Sequence, residues 1–123
     1  MNANTKFFAF RQNNSGGSFD HDPDAGIGLA VWIEAVDASH ANDRAEAIGL
    51  YFDGCESGTD CPCCGDRWYP VSEPDSDIKD YPSLYGEQWR EAEADEAPTL
   101  DWGIPSYIHP LSGGFKAAVK VAA

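Results

Sequence analysis

The order of apolar and polar positions predicts several short strands. Aromatic residues at positions 7, 8 and 10 form a run typical of a first strand, which the polar segment 13–17 then ends. The nearly continuous apolar run from Gly28 to Val36 predicts a second strand that is covered on both faces. Segments 106–109 and 115–119 flank a glycine-containing turn and predict a C-terminal β-hairpin.

A helix is predicted directly after the second strand. Asp37 or Ser39 can cap its start, and Gly54 can end it in the left-handed conformation. Further along, segment 67–71 is predicted as a short edge strand beside a proline, and 83–94 as a short helix. In the helix that follows the second strand, four apolar residues have the spacing of one helical stripe: Ala41, Ala45, Ile48 and Phe52.

These elements predict an α+β fold in a single domain over residues 1–123. The expected architecture is a small, mostly antiparallel sheet with one main helix packed on it and a loop that zinc holds together. A chain of this length can bury one core. We expect the zinc-binding loop at about 53–69 and an acidic loop or helix region at about 71–101.

The charge of the chain limits its partners. Asp and Glu number 21 against 8 Lys and Arg, which gives a net charge of −13. This acidity argues against direct binding to nucleic acid or to an anionic membrane, because both attract Lys and Arg. It permits a basic partner protein, or mimicry of a nucleic acid by the acidic region 71–101. The chain shows no apolar run of the roughly 20 residues that a membrane span needs and no signal-peptide core, so we expect a reducing cytoplasm.

Four cysteines between residues 55 and 64 predict one structural zinc ion. Cys61 and Cys64 have the C-x-x-C spacing and precede Gly65, which looks like the knuckle of zinc ribbons and rubredoxin-like sites. In a reducing compartment, clustered cysteines are more often metal ligands or catalysts than disulfides. Because four thiolates leave no open position for water, a structural role is favoured. Zinc prefers a tetrahedron of four ligands, and the expected set is Cys55, Cys61, Cys63 and Cys64.

Other ligand sets and other chemistries stay open at this point. A histidine can replace Cys63 as the fourth ligand, with His40 ahead of His21 and His109. The C-x-x-C pair also resembles a redox-active pair, although the segment after it is a poor helix start. A disulfide or an iron–sulfur cluster is a further alternative.

The polar segment after the first strand is a second candidate site. Its consecutive backbone N–H groups can hold an anion or a small polar ligand, although a well-bonded turn is the alternative. Trp32 and Trp68 are expected in the core. Trp89 and Trp102 have polar surroundings and can face a partner, with partial burial as the alternative. The ligand- or partner-binding residues predicted in the polar segment are Gln12, Asn13, Asn14, Ser15, Gly16 and Gly17.

Three segments of the chain resemble a family of small uncharacterised bacteriophage proteins. They are an FxFxQNNSGGxF motif over residues 8–19, the segment Ile48–Gly54, and a CxCCGDRW motif over residues 61–68. The resemblance covers residues 7–69 well and 104–116 loosely. It implies a phage origin and action in a host cytoplasm, and it favours Cys63 as a zinc ligand. It supplies no activity.

Three hypotheses for function follow from these observations. The first is a non-enzymatic, zinc-stabilised phage accessory protein that binds a host protein or a small ligand. The second is an acidic mimic of nucleic acid. The third is a metal-assisted hydrolase that uses the carboxylates of 20–24 together with His109. The sequence does not indicate an oligomeric state.

Overall fold

The computed structural model describes residues 5–13, 19–59, 65–73 and 78–121, and within these ranges the chain is mostly β. Two short helices are present there, α1 (Ala38–Ile48) and α2 (Gly54–Ser57). The strands are β1 (Lys6–Arg11), β2 (Ala30–Ala35), β3 (Ser83–Leu84), β4 (Glu87–Glu91), β5 (Leu100–Asp101), β6 (Ile104–Pro105), β7 (Tyr107–His109) and β8 (Lys116–Lys120).

Six of the strands form one mixed sheet in the order β1-β2-β7-β8-β4-β3. All neighbours in it are antiparallel except β2 and β7, which are parallel. The sheet curls into a nearly closed barrel. The predicted α+β fold is therefore wrong: the described chain is mostly β, with a mixed, nearly closed barrel and two short helices in place of a sheet with one main helix. Periodicity within single elements identified strands, but it could not reveal that the sheet curls into a nearly closed barrel.

The interior of the barrel is filled mainly by buried residues from four strands. The rings of Trp32 and Trp89 lie 5.0 Å apart, and Ala30, Ile108 and Ala118 pack around them. The Nε1 of Trp32 donates a hydrogen bond to the carbonyl oxygen of Ser83 at 3.1 Å, so this indole is satisfied inside the core.

A second core lies on the opposite face of β1 and β2. Because side chains alternate along a strand, Phe8 and Phe10 point to this face, while Phe7 and Ala9 pack against the barrel interior. The second core includes Ala41 and Ala45 of α1 together with Trp68. Both faces of β2 are therefore covered, as its continuous apolar run predicts.

Helix α1 begins where the sequence predicts and ends earlier. Asp37 is its N-cap, and its Oδ1 accepts a hydrogen bond from the backbone N–H of His40 at 2.8 Å. Gly49, at φ 117°, ends the helix through bonds from its N–H to the carbonyls of Ala45 and Glu46. The prediction that Gly54 ends this helix is wrong, since Gly54 is the first residue of α2.

Segment 67–71 does not form the predicted strand. The backbone N–H of Val71 donates to Oδ1 of Asn42 at 2.9 Å, and the carbonyl of Val71 accepts from Nδ2 of Asn42 at 3.0 Å. A side chain of α1 thus bonds the backbone groups that a neighbouring strand would otherwise pair. The segment packs on the second core through Trp68, which is buried as predicted.

The predicted helix over 83–94 is also wrong, because this segment contains the hairpin β3–β4. Ser83 pairs with Gln88 and Leu84 with Glu87, so Tyr85 and Gly86 form the two-residue turn. The backbone N–H of Trp89 also donates to Pro82 O at 2.8 Å. The other predicted hairpin is confirmed, since β7 and β8 pair antiparallel. Neither described helix combines the length and the apolar character needed to cross a lipid bilayer.

Gly28 allows two backbones to approach closely at the start of β2. A Cβ atom at this position would lie 1.9 Å from the carbonyl oxygen of Pro105, so no larger residue fits without a backbone shift. The next residue, Leu29, donates its N–H to the same carbonyl at 3.1 Å. This contact joins β6 to the edge of the barrel where the candidate site lies.

Candidate ligand-binding site

A cavity of about 330 Å³ opens at one end of the barrel. Its lining comes from the end of β1, the starts of β2 and β7, the β3–β4 turn and the tip of the β5–β6 hairpin. We call it the mouth cavity. Its volume falls at the lower end of the about 300–1,000 Å³ that is usual for ligand pockets, and barrel mouths are one of their common places.

Buried residues form the floor of the mouth cavity. They include Ala30, Trp89 and Ser106, all of which line the cavity and are almost inaccessible to solvent. The hydroxyl oxygen of Ser106 accepts a hydrogen bond from Ala30 N–H at 3.0 Å. The Nε1 of Trp89 is buried and has no hydrogen-bond acceptor within the described ranges. The floor is therefore mainly apolar and contains one indole donor that the described residues do not use.

Two exposed aromatic residues stand at the rim of the same cavity. Tyr85 is 71% exposed and Trp102 is 82% exposed. The ring centroids of Phe19 and Trp102 lie 6.0 Å apart, so Phe19 packs against part of the Trp102 side chain. Large aromatic surfaces in contact with water are uncommon on a monomer unless they form part of a binding surface.

Both rim aromatics occupy the same unusual backbone position. Tyr85 has φ 54° and Trp102 has φ 59°, and in each case the following glycine also has positive φ. Each pair forms the two-residue turn of a hairpin, β3–β4 or β5–β6. Such turns favour Asn, Asp or Gly at the first position, because a bulky residue is strained there. These are the two non-glycine residues with positive φ among those described.

Charged side chains of both signs lie around the rim. The guanidinium carbon of Arg11 lies 5.2 Å from the centroid of the Tyr85 ring, within the range of a cation–π contact. Glu87 and Asp101 also line the cavity. A Glu87 oxygen lies 3.6 Å from Nζ of Lys120. The rim thus combines aromatic faces with two carboxylates and one guanidinium.

Gln12, which the sequence suggests as a ligand-binding residue, has a structural role in this fold. Its Nε2 donates to the carbonyls of Gly28 at 2.9 Å and Asp20 at 3.0 Å. Its Oε1 accepts from Asp20 N–H and, at 2.9 Å, from Nη1 of Arg67. These bonds engage the whole amide, so it is not available to a ligand.

The predicted polar segment and the predicted cysteine segment meet in space. Nδ2 of Asn13 donates to the carbonyl of Asp66 at 3.1 Å, and the N–H of Asn13 donates to the carbonyl of Arg67 at 2.8 Å. Arg67 is buried, and its Nε lies 3.3 Å from a carboxylate oxygen of Asp20. The remaining predicted residues Asn14, Ser15, Gly16 and Gly17 lie outside the described ranges.

Of the four predicted zinc ligands, the structure describes only Cys55. It lies half-buried in α2, and its backbone N–H donates to Oδ1 of Asp66 at 2.9 Å. Cys61, Cys63 and Cys64 lie outside the described ranges. Within those ranges, no group of three or more His, Cys, Asp and Glu side chains is arranged to hold a metal ion. The described part of the chain therefore gives no support to a metal-binding cluster, and the four-cysteine zinc site stays a prediction.

The three histidines have separate hydrogen bonds. Nε2 of His21 lies 2.9 Å from the hydroxyl of Tyr107, and Nδ1 of His40 accepts from Val36 N–H at 3.2 Å. His109 is buried, with its Nε2 2.8 Å from the carbonyl of Gly26. Burial lowers the pKa of His109, the hydrogen bond to Gly26 partly opposes this shift, and the nearby charge of Arg44 adds to it. His109 therefore faces the protein interior rather than an open cavity.

For Trp89 and Trp102 the sequence leaves partial burial and exposure to a partner as alternatives. Trp102 is 82% exposed, whereas Trp89 is buried in the barrel core. The sequence patterns did not predict Tyr85, Phe19 and Arg11 as parts of a site. One signal was present in the sequence: an aromatic residue directly before glycine occurs at 85–86 and again at 102–103, between short strand-like segments.

Comparison with protein families gives one match, which extends over residues 5–120. The matching model describes a domain of unknown function, DUF7296. The chain belongs to this family. DUF7296 accounts for nearly the whole sequence, including all strands of the barrel and the rim of the mouth cavity. The match gives no source organism, so the phage origin stays a prediction. No curated protein and no solved structure matches the chain.

Proposed function

We propose that the protein is a non-enzymatic binding module that holds part of a basic partner protein at its mouth cavity. One observation carries this proposal: Tyr85 and Trp102 are exposed at the same cavity, and both have positive φ. The resemblance to bacteriophage proteins would make the partner a host protein in the host cytoplasm, and this part stays a prediction.

The two aromatic residues reduce the stability of the free protein in two ways. A bulky residue in the left-handed region costs about 1–3 kcal/mol relative to a relaxed backbone. The exposed rings also leave apolar area in contact with water, which burial at an interface would remove. Trp and Tyr are the residue types that most often dominate binding energy at protein interfaces. A partner that binds at the cavity would cover both rings, and this gives a reason for two residues with such costs to lie at one cavity.

The charge of the chain defines the class of partner. A net charge of −13 attracts basic proteins and repels nucleic acid. Glu87 and Asp101 bring part of this negative charge to the mouth cavity itself. A basic protein segment therefore fits both the overall charge and the local one.

The hydrolase hypothesis has less support from the geometry. Its proposed base, His109, is buried and bonded to the carbonyl of Gly26, and hence has no open path to a substrate. The acidic-mimic hypothesis differs from ours in its contacts, because a mimic would act through carboxylates of region 71–101 and not through aromatic rings.

Selection from a random decapeptide library, with the intact protein immobilised, tests the proposal. We expect the selected peptides to be basic. Their affinity should fall at least about tenfold for Trp102→Ala, as for an interface hot spot. Tyr81→Ala is the matched control, since Tyr81 is 41% exposed and does not line the mouth cavity. This control should bind as the unmodified protein does.

Two other outcomes would count against the binding module. Equal losses for Trp102→Ala and Tyr81→Ala would mean that the mouth cavity is not the contact surface. Binding that disappears with added salt but has the same affinity in Trp102→Ala would favour acidic mimicry, because interactions between exposed charges are screened within about 8 Å at physiological ionic strength.

A further inference from the structure

The mouth cavity already holds one cationic group of the protein itself. Arg11 lies at the rim with its guanidinium over the Tyr85 ring, at 5.2 Å from the centroid. Among the described residues, no carboxylate forms a salt bridge with Arg11. Within the described ranges, the aromatic face of Tyr85 is the cation–π contact that this guanidinium makes. Such contacts form with any cation that reaches the face of the ring.

The carboxylates of the cavity complete the surroundings of a cation. Asp101 lines the cavity next to Trp102 and has no salt-bridge partner in the described ranges. Glu87 lies on another part of the lining and is 3.6 Å from Lys120. Aromatic faces together with an uncompensated carboxylate are the surroundings in which proteins bind cationic groups.

We propose that the mouth cavity receives an arginine side chain of the partner, and that Arg11 competes with it for the face of Tyr85 in the free protein. This inference rests on the proposed function and specifies which group enters the cavity. Arginine fits better than lysine, because its planar guanidinium stacks on aromatic rings while it donates to carboxylates. Arg11 then acts as an internal competitor that weakens binding of partners without a suitably placed arginine.

A pair of matched peptides tests the inference on the full chain. The first is acetyl-Gly-Gly-Arg-Gly-Gly-amide, and the second contains citrulline, which has almost the shape of arginine but no charge. Binding is measured by NMR titration through the indole N–H signal of Trp102. We expect the arginine peptide to shift this signal and the citrulline peptide to have little effect at the same concentration.

Two variants separate the roles of the charged residues. Arg11→Gln should bind the arginine peptide about two- to fivefold more tightly, because the competing cation–π contact is lost. Asp101→Asn should bind it more weakly. Lys116→Gln is the control for net charge, since Lys116 is an exposed cation that does not line the cavity, and it should not reproduce the gain of Arg11→Gln.

The results that overturn the inference differ from those that overturn the proposed function. Equal binding of the arginine and citrulline peptides would refute the role of a cation, and unchanged binding by Arg11→Gln would refute the competition by Arg11. Library peptides that still need Trp102 would in that case leave the binding module in place, with a different group in the cavity. Loss of the Trp102 dependence in the library selection would refute the binding module itself.

Discussion

The indole rings of Trp32 and Trp89 lie 5.0 Å apart at an angle of 40° in the interior of the barrel. They come from β2 and β4, which are separated by two other strands in the sheet. Their contact therefore spans the barrel and depends on its closure. Trp89 is also part of the floor of the mouth cavity, so this pair links the stability of the core to the shape of the candidate site.

Replacement of Trp89 by alanine should strongly destabilise the protein. The indole is 3% exposed, and its loss would leave a large cavity beside Trp32. We expect the free energy of unfolding to fall by about 3–5 kcal/mol, as for other buried aromatic residues. Trp89→Phe should cost clearly less, because the described part of the chain offers no acceptor to Nε1. Urea denaturation monitored by circular dichroism measures both changes. A loss below about 1 kcal/mol for Trp89→Ala would contradict the closed packing.

Replacement of Trp102 by asparagine should instead stabilise the free protein. Asparagine tolerates the left-handed conformation and is favoured in this type of turn, so the strain at φ 59° should decrease. We expect a gain of about 1 kcal/mol in the free energy of unfolding. Thermal denaturation is a suitable measurement, with Tyr81→Asn as a control at an exposed aromatic outside the turn. A stability loss in Trp102→Asn would show that the tryptophan has a structural role.

The stability of the protein should decrease as the pH falls below the ordinary pKa of histidine. Burial lowers the pKa of His109 from its usual value of 6.5, so the unfolded state binds a proton more readily than the folded state does. The contribution of neutral, buried His109 to the free energy of unfolding is complete above pH 6.5. It is lost as the pH decreases towards the pKa of His109 in the folded state. NMR titration of His109 measures this pKa, and urea denaturation from pH 8 to pH 5 measures the effect on stability.

The comparison of this pH dependence with that of His109→Asn isolates the contribution of one residue. The variant should have a weaker dependence of stability on pH between 8 and 5, because it lacks the group that titrates. If His109 titrates above its ordinary pKa, or if the variant keeps the full dependence, the assignment to His109 is wrong.

The zinc prediction can be tested independently of the mouth cavity. Elemental analysis of the purified protein should find about one zinc per chain, as for other sites of four cysteines. Cys61→Ser should lose the metal and destabilise the loop at 53–69, since the energy of metal binding contributes to folding. Ser57→Ala is the control, because Ser57 lies in the same loop but has no thiol, and this variant should keep the metal. A metal-free protein with unchanged thermal stability would exclude a structural zinc.

Local features of the sequence were enough to predict several elements. The aromatic run of β1 and the apolar run of β2 indicated strands, because their side chains enter cores on both faces. Asp37 indicated the start of α1, since capping depends only on residues three positions apart. The glycine-containing turn before β8 indicated the last hairpin. The acidic composition gave the net charge of −13 on which the proposal of a basic partner rests.

Contacts between distant residues decided what the sequence left open. Leu84 and Trp89 were compatible with a helix, and the pairing of Trp89 with Trp32 across the barrel favours a strand. The N–H and carbonyl of Val71 bond to a side chain of α1, which local propensity cannot reveal. The mouth cavity exists only because β1, the β3–β4 turn and the β5–β6 hairpin meet at one end of the barrel. Sequence alone determined the charge and several strands, whereas tertiary structure determined the site, because its lining residues are far apart in the chain.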